Sequence, residues 1–138
     1  MYAARVDHVE KLIRPALERG VWVISDRFSD STMAYQGYAR GLGPDRVKSV
    51  HKAIMDDFEP DLTILIDMDP DTGLTRALSR QGTEERFEDF GPDLQRKMRA
   101  GFLALADEFS DRFRVIDGAR DIDSIAADVH STALKALG

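Results

Sequence analysis

The chain has 138 residues, of which 43% are hydrophobic and 32% are charged, a composition typical of one soluble globular domain. Its net charge of -6 argues against binding a nucleic-acid polymer, and no apolar run is long enough to span a membrane. Because cysteine is absent, disulfide bonds and thiolate metal sites are excluded. The amphipathic N-terminus carries Asp7 and Glu10, unlike a signal peptide, so a cytoplasmic protein is expected.

The first part of the chain predicts a helix followed by a buried strand. Apolar residues recur at three- and four-residue spacing from Tyr2 to Arg19, where Pro15 is expected to kink the helix and Gly20 to end it. Val21–Ser25 is a short apolar run, which predicts a strand buried in a sheet. Arg5 lies off the apolar stripe of the helix, so the pattern alone favours a solvated arginine.

Five further helices and two further strands are predicted along the rest of the chain. The predicted helices span 29–35, 45–57, 70–82, 93–109 and 122–137, and the strands span 61–67 and 113–117. A glycine-rich loop or interrupted helix is expected at 35–44, and a lid at about 80–92. Strands separated by helices predict right-handed crossovers and a parallel sheet in a single α/β domain over residues 1–138.

Polar side chains cluster directly after the first predicted strand. Asp26 and Arg27 follow its last residue, at the end where open α/β sheets bind ligands. An arginine there can grip a phosphate through two hydrogen bonds, and an aspartate can hold Mg²⁺ through water. Taken alone, such a pair is more often a structural ion pair. The residues that follow favour a polar ligand pocket, and they are Ser31, Thr32, Tyr35 and Gln36.

A second group consists of arginines before and within the predicted lid. Arg76 and Arg80 are four residues apart on a predicted helix and share one face, and Arg86 lies in the loop that follows. Guanidinium groups that converge on one site would stabilise the negative charge of a phosphoryl transfer. The opposite interpretation is surface pairing with the acidic residues of the same loop, and composition alone favours it.

Several motifs that would decide the chemistry directly are missing from the 138 residues. No Gly-x-x-x-x-Gly-Lys-Ser/Thr phosphate loop occurs, since Gly41 and Gly43 have neither its spacing nor its ending. Each of the three histidines stands alone on a predicted helix, which favours a surface or core residue over a catalytic base or a metal ligand. These residues are His8, His51 and His130. No residue set has the spacing of a metal site.

The residues from Ile24 to Gln36, ISDRFSDSTMAYQ, resemble the thymidylate kinase family, whose members carry an Asp-Arg-aromatic motif after a strand. The resemblance extends over nearly the whole chain, including PDLTILIDMDPDTGLTRALSR and FRVID. It implies a P-loop kinase fold, three-layer α/β/α around a parallel sheet, that transfers the γ-phosphoryl group of ATP to dTMP with Mg²⁺ in dTTP biosynthesis. The family's N-terminal third, including the phosphate loop, has no counterpart here, so a fold truncated at its N-terminus is expected.

The resemblance also implies roles for single residues. Two arginines would hold the dTMP phosphate, namely Arg5 and Arg27. Four residues would line the nucleoside pocket, namely Ser31, Thr32, Tyr35 and Gln36. The basic lid that stabilises the transition state would consist of Arg76, Arg80 and Arg86. Asp26 would lie near the phosphates and the metal.

Two functional hypotheses remain open on the sequence. The first is a thymidylate kinase that acts as a homodimer on dTMP and ATP, with little or no activity expected from this chain alone because the phosphate loop is absent. The second is a non-catalytic module of the same fold that binds a nucleotide monophosphate or dimerises. A kinase for another base is a third hypothesis, which the family match at Ser31–Gln36 disfavours.

Overall fold

The computed structural model describes residues 2–78 and 91–138. Its first helical rod consists of α1 (Tyr2–His8), a π-helical segment (Val9–Ile13) and α2 (Arg14–Glu18). The rod agrees with the predicted helix, and Pro15 explains the π-helical segment. Proline has no N–H to donate to the carbonyl group four residues earlier, so the regular hydrogen-bond ladder is interrupted there.

The rod ends at Gly20, as predicted. This glycine has a φ of 75°, in the left-handed region. Its N–H donates to the Leu17 carbonyl oxygen at 2.9 Å, and the N–H of Val21 donates to the Ala16 carbonyl oxygen at 3.0 Å. These two bonds form a Schellman motif, which satisfies carbonyl groups at the end of the rod and turns the chain away from it.

The buried strand predicted at Val21–Ser25 does not form, and that prediction is wrong. The segment has no regular secondary structure, although Val23 packs against a hydrophobic cluster. Val21, Trp22 and Ile24 are 48%, 52% and 93% exposed. A strand requires a hydrogen-bonded neighbour, and no segment within residues 2–78 or 91–138 pairs with this one. The apolar composition indicates a tendency to be buried but does not supply the partner.

The segment after the Asp26–Arg27 bend is helical for longer than predicted. α3 (Ser29–Thr32) continues into a second π-helical segment (Met33–Ala39), so the glycine-rich loop begins only at residue 40. α4 (Pro44–Met55) then begins with a proline, a residue favoured in the first helical turn.

The sheet of the described residues consists of β1 (Thr63–Asp67) and β2 (Phe113–Asp117), which pair in parallel. α5 (Pro70–Leu78) follows β1, and α6 (Pro92–Glu108) precedes β2. α7 (Ile122–Leu137) closes the chain. The alternation of helices with parallel strands confirms the predicted α/β class.

The predicted lid at about 80–92 falls almost wholly on residues outside those that the structure describes. Arg80 and Arg86 are among these residues, so their predicted roles stay predictions. In the ranges that are described, no helix has both the length and the apolar character needed to cross a membrane.

Two hydrophobic clusters join these elements. The larger cluster connects the second π-helical segment, α4, α6 and β2, and its buried members are Met33, Ala34, Val47, Leu105, Ala106 and Phe113. The smaller cluster connects the helical rod to α4, and its buried members are Val9, Ile13 and Met55. Tyr2 and Phe28 pack against the smaller cluster, which brings the start of the chain next to the Asp26–Arg27 bend.

Gly101 of α6 lies in close contact with Tyr38 of the second π-helical segment. A Cβ atom added at Gly101 would lie 2.8 Å from Cβ of Tyr38 and 3.0 Å from its Cγ. We expect Gly101→Ala to lower the free energy of unfolding by about 1–2 kcal/mol, because the helix or the ring must shift. Urea unfolding measures this difference. Gly91→Ala is the control, since its Cβ would meet nothing within 4 Å, and equal stability of the two variants would contradict the prediction.

Candidate substrate-binding site

Arg5 is held between two aromatic rings at the start of the chain. Its guanidinium carbon lies 5.1 Å from the centroid of the Tyr2 ring and 5.2 Å from the centroid of the Phe28 ring. Nη2 donates to the Phe28 carbonyl oxygen at 3.5 Å, the outer limit of a hydrogen bond. Nη1 is buried without a hydrogen-bond partner in the described part of the chain. Arg5 is therefore not the solvated helix-face arginine that the helix pattern favours.

The Tyr2 side chain shares this partly buried environment. Its hydroxyl oxygen is buried and has no hydrogen-bond partner among the described residues. Burial raises the pKa of the Tyr2 phenol above its ordinary value, while the positive charge of Arg5 acts in the opposite direction. The aromatic ring, rather than the hydroxyl group, is the part of Tyr2 that contacts Arg5.

Asp26 and Arg27 lie in an exposed bend immediately before Phe28. The Ser25 hydroxyl group donates to the Arg27 carbonyl oxygen at 2.9 Å, within this bend. Arg27 has a φ of 67°, a left-handed conformation that costs a residue with a side chain about 1–2 kcal/mol. Neither Asp26 nor Arg27 forms an ion pair with a residue in 2–78 or 91–138, so the structural ion pair favoured by composition does not form there.

The four residues predicted to line a nucleoside pocket differ in exposure. Ser31 and Thr32 belong to α3, whereas Tyr35 and Gln36 belong to the second π-helical segment. Thr32 is only 5% exposed, and the other three are partly exposed. The Tyr35 hydroxyl oxygen accepts a hydrogen bond from Nε of Arg40 at 2.9 Å. A ligand could therefore contact three of the four from solvent, whereas the Thr32 side chain is buried.

A buried ion pair anchors the helix that carries these residues. Nη1 and Nη2 of Arg112 donate to the two carboxylate oxygens of Asp30, each at 2.7 Å. The Thr63 hydroxyl group donates to Asp30 at 3.0 Å and accepts from Arg112 at 2.9 Å. The side chains of Arg112 and Asp30 are only 13% and 8% exposed. This network connects α3 to the amino ends of both strands.

The charge on Arg112 is fixed by its surroundings. Burial alone would lower the pKa of Arg112, but the hydrogen bonds and charge of Asp30 and the charge of Glu59 raise it above its ordinary value. Nε of Arg112 lies 3.5 Å from a carboxylate oxygen of Glu59. The rings of Phe109 and Phe113 lie with their centroids 4.9 Å from the guanidinium carbon. Arg112 therefore stays protonated, and its burial is compensated by the hydrogen bonds to the Asp30 carboxylate.

Arg76, near the end of α5, binds the loop that follows β2. Nη1 donates to the Gly118 carbonyl oxygen at 2.6 Å, and Nη2 donates to those of Ala119 and Arg120 at 2.9 and 3.3 Å. Arg76 and Gly118 also line a cavity of about 420 Å³ at the carboxyl ends of the strands, whose apolar walls include Ile66. These bonds favour a structural role for Arg76 in holding the loop, and its transition-state role stays a prediction.

Asp67, the last residue of β1, is bound to Arg99 of α6 by two hydrogen bonds. Nε donates to Oδ1 at 2.8 Å, and Nη2 donates to Oδ2 at 3.0 Å. The hydrogen bonds and charge of Arg99 hold the pKa of Asp67 below its ordinary value, although partial burial acts in the opposite direction. The pair fixes α6 to the carboxyl end of the sheet.

Asp67→Asn is expected to reduce the free energy of unfolding by about 1–2 kcal/mol at neutral pH, because Arg99 loses a charged acceptor. The pKa of Asp67 is lower in the folded state than its ordinary value of 3.8. The wild-type advantage is therefore complete above that value and is lost as the pH falls through the folded-state pKa. Urea unfolding between pH 7 and about pH 3 should show the two proteins converging in acid. An advantage that does not change with pH would contradict this prediction.

No group of three or more histidine and carboxylate side chains in the described ranges could hold a metal ion. Asp26 is a single exposed carboxylate at the bend. Magnesium bound there would have to take most of its ligands from water and nucleotide phosphates, which is its usual mode of binding beside a nucleotide.

A protein-family model described as "Thymidylate kinase" matches residues 1–129 of the chain. The chain belongs to the thymidylate kinase family. This membership confirms the resemblance seen at Ile24–Gln36 and, together with the parallel sheet, the P-loop kinase type of α/β fold.

Three relatives, each named thymidylate kinase, illustrate the similarity. The protein of Ruegeria pomeroyi is 61% identical over 135 residues, which cover 98% of this chain and 64% of that protein. The protein of Jannaschia sp. is 49% identical over 129 residues, covering 94% of this chain and 62% of the relative. The protein of Alkalilimnicola ehrlichii is 37% identical over 137 residues, which cover 99% of this chain and 63% of that protein. The chain thus spans about three-fifths of the length of these curated relatives.

Within this chain, the structure brings some of the predicted site residues together. Arg5 lies against Phe28, directly beside the Asp26–Arg27 bend, and the bend leads into α3. Arg76 is engaged elsewhere, with the loop after β2. The predicted residues that the structure describes therefore form a group around the Asp26–Phe28 bend, whereas Arg76 is bound to a different loop.

Sequence reasoning missed the partners that position these groups. Tyr2 was not singled out, although an aromatic residue three positions before Arg5 on a helix is a usable signal for a ring contact. The partnership of Asp30 with Arg112 spans 82 residues, and no local pattern indicates it. Such distant ion pairs become visible only when the fold brings the two residues together.

Proposed function

We propose that this chain provides the acceptor side of a thymidylate kinase, which binds dTMP for phosphorylation by ATP to dTDP. The observation that carries the proposal is the Arg5 guanidinium beside the Asp26–Phe28 bend, with Nη1 buried and lacking a partner among the described residues. A buried donor of this kind costs free energy unless a ligand satisfies it. The names of the relatives support dTMP as that ligand.

The proposed reaction needs the two phosphate groups to be held close together. An oxygen of the dTMP phosphate attacks the γ-phosphorus of ATP, the bond from that phosphorus to the bridging oxygen breaks, and ADP leaves. Arg5 and Arg27 would neutralise the acceptor phosphate and so reduce its repulsion by the triphosphate. Bound magnesium would supply further charge neutralisation on the ATP phosphates, with Asp26 near it.

The remaining predicted residues would orient the nucleoside and complete the charge stabilisation. The partly exposed residues that would contact the nucleoside are Ser31, Tyr35 and Gln36. Arg80 and Arg86 would supply positive charge to the transferring phosphoryl group. The cavity of about 420 Å³ beside Arg76 has the size of a small-molecule site and is lined by apolar and charged side chains.

The 138 residues contain no phosphate loop, which would do much of the positioning of ATP. We therefore expect little or no kinase activity from this chain alone. A coupled assay of ADP release with dTMP and ATP measures it, and ordinary turnover would contradict this expectation.

Isothermal titration with dTMP tests the acceptor site itself. We expect dTMP to bind more tightly than dUMP or dCMP, and Arg5→Gln to weaken dTMP binding by about tenfold, the loss of one charge-assisted hydrogen bond. Arg14→Gln is the control, because Arg14 is also a helix arginine over an aromatic ring, but that ring is Phe58 rather than Phe28, the residue that adjoins the bend. Preference for dCMP, or equal dTMP binding by the two variants, would contradict the proposal.

The second candidate is a non-catalytic module of the same fold that binds a nucleotide or dimerises. The DNA upstream of the first codon separates the candidates. An in-frame Gly-x-x-x-x-Gly-Lys-Ser/Thr supports the kinase, whereas its absence supports the module.

We also propose that the protein is a cytoplasmic homodimer. The helical rod and α4 pack against each other, and both carry exposed apolar side chains, which support self-association. These side chains are Leu12, Leu17, Val50 and Ile54. Sedimentation velocity tests the dimer, and a stable monomer at all concentrations would contradict it. Fractionation of cells tests the location.

A further inference from the structure

Six side chains form a continuous series of contacts between tilted rings and guanidinium groups, which we call the aromatic stack. Its members, in spatial order, are His51, Tyr2, Arg5, Phe28, Phe58 and Arg14. The ring centroids of His51 and Tyr2 are 6.0 Å apart, and those of Phe28 and Phe58 are 6.2 Å apart. The stack joins α1, α2, α4 and the segment that follows the Asp26–Arg27 bend.

Arg5 occupies the centre of the stack, and both of its neighbours are aromatic. The distances of 5.1 and 5.2 Å from its guanidinium carbon to the ring centroids of Tyr2 and Phe28 are within the range of cation–π contacts. Such contacts restrict the orientation of the guanidinium group. Its N–H groups then remain available only in directions that the two rings do not occupy.

The two ring contacts preorganise the Arg5 side chain for ligand binding. A free arginine side chain samples many rotamers, and part of this conformational entropy is lost when it binds an anion. A guanidinium group already held by two rings loses less on binding, and its Nη1 is already without a competing hydrogen bond among the described residues.

We propose that Tyr2 and Phe28 are positioning residues that hold the Arg5 guanidinium for the acceptor nucleotide, an inference that rests on the proposed binding of dTMP by Arg5. Tyr2 acts through the face of its ring, because its hydroxyl oxygen has no partner within the described ranges. Phe28 acts through its ring and through its carbonyl oxygen, which accepts from Arg5 at 3.5 Å.

A purely structural role for the two rings makes different predictions. Tyr2, Phe28 and Phe58 all pack against the smaller hydrophobic cluster, so loss of any of the three removes apolar contacts from the same region. Phe58 has no direct contact with Arg5 in the stack, since it is reached through Phe28. Phe58→Leu is therefore a matched control that disturbs the cluster but leaves both rings beside Arg5.

The first measurement concerns the free protein. The NMR resonance of the Arg5 side-chain N–H, assigned by its disappearance in Arg5→Gln, should be shifted by the ring currents of the two aromatic neighbours. We expect Tyr2→Leu and Phe28→Leu to move it towards the position of an exposed arginine, and Tyr2→Phe, Phe28→Tyr and Phe58→Leu to leave it nearly unchanged. A resonance that is insensitive to Tyr2→Leu and Phe28→Leu would overturn the proposal.

The second measurement is dTMP affinity in a double-mutant cycle. We expect Tyr2→Leu and Phe28→Leu each to weaken dTMP binding about three- to tenfold, in line with the strength of cation–π contacts. The conservative variants Tyr2→Phe and Phe28→Tyr should keep wild-type affinity. In an Arg5→Gln background, Phe28→Leu should have no further effect, because it acts through Arg5. Additive effects, or equal weakening by Phe58→Leu, would overturn the proposal.

The two measurements also separate this inference from the proposed function. If the Arg5→Gln variant binds dTMP with wild-type affinity, the assignment of Arg5 to the acceptor site is wrong. The positioning role of Tyr2 and Phe28 is then also wrong, even when the NMR signature is present. If Arg5→Gln weakens binding but neither ring variant does, the acceptor site stands and only the positioning role is wrong.

Discussion

Asp30→Ala is expected to lower the free energy of unfolding by about 3–5 kcal/mol, the largest stability effect of any substitution considered for this chain. The cause is the charge of Arg112, which would stay buried after losing both hydrogen bonds to the carboxylate. Glu59 is too distant to replace them, since its nearest oxygen is 3.5 Å from Nε. For a domain of this size the melting temperature should fall by about 10 °C, which calorimetry or thermal unfolding followed by circular dichroism can measure.

Two further variants make this prediction specific to the buried pair. The double substitution Asp30→Ala and Arg112→Leu should recover much of the lost stability, because the uncompensated charge is removed. Asp128→Ala removes the acceptor of a surface ion pair with Arg120, at 2.6 Å, and should change stability by less than about 1 kcal/mol. If Asp30→Ala proves no more harmful than Asp128→Ala, the buried network does not stabilise the fold as described.

Arg27→Gly is expected to change stability and ligand binding in opposite directions. Glycine adopts the φ of 67° at Arg27 without steric cost, so the free energy of unfolding should rise by about 1 kcal/mol. The greater conformational entropy of glycine in the unfolded chain reduces this rise. The affinity for dTMP should fall by at least about tenfold, because a charged hydrogen-bond donor to the phosphate is lost. Urea unfolding and isothermal titration measure the two effects on the same preparation.

Two controls separate the backbone from the side chain at this position. Arg27→Ala removes the guanidinium group but keeps a Cβ atom, so it should weaken dTMP binding without the gain in stability. Asp56 is the other non-glycine residue with positive φ in the described ranges, at 55°, and Asp56→Gly should raise stability without affecting dTMP. Wild-type dTMP affinity in Arg27→Gly would rule out the phosphate-binding role of Arg27.

The regular parts of the fold could be predicted from the sequence because their signals are local. The spacing of apolar residues predicted α7 and β2 with the bounds that the structure shows, 122–137 and 113–117. Pro15 and Gly20 likewise marked an irregularity and an end of the first helical rod. A missing N–H group and a left-handed φ are properties of single residues, so no knowledge of the tertiary structure is needed.

The segment Val21–Ser25 could not be predicted by the same means, because a strand is a property of two segments. Its apolar run meets the local requirement, but within the described residues the sheet contains only β1 and β2. The length of the second helix was also underestimated. Gly37 sits inside the π-helical segment Met33–Ala39, where a Cβ atom would meet Cα of Pro44 at 3.2 Å. That glycine permits close packing against α4 and does not break the helix.

The sequence pointed to a candidate site but not to the contacts that support it. The Asp26–Arg27 pair and the polar residues after it carry the resemblance to the family whose model matches the chain, and their roles stay predictions. The burial of Arg5 depends on Phe28, which lies 23 residues away in the chain. An amphipathic pattern places a residue on a helix face, but it does not show which ring from elsewhere will cover that face.

The exposed segment after Gly20 also determines the intrinsic tryptophan fluorescence of the chain. Trp22 is the single tryptophan of the sequence and is 52% exposed. Its fluorescence should therefore have the red-shifted maximum of a hydrated indole and be quenched readily by acrylamide. A polypeptide segment or partner that packs on Val21–Ser25 would shift the emission to shorter wavelength and reduce the quenching. The intrinsic fluorescence of the chain is thus a direct, label-free measure of whether this segment is covered.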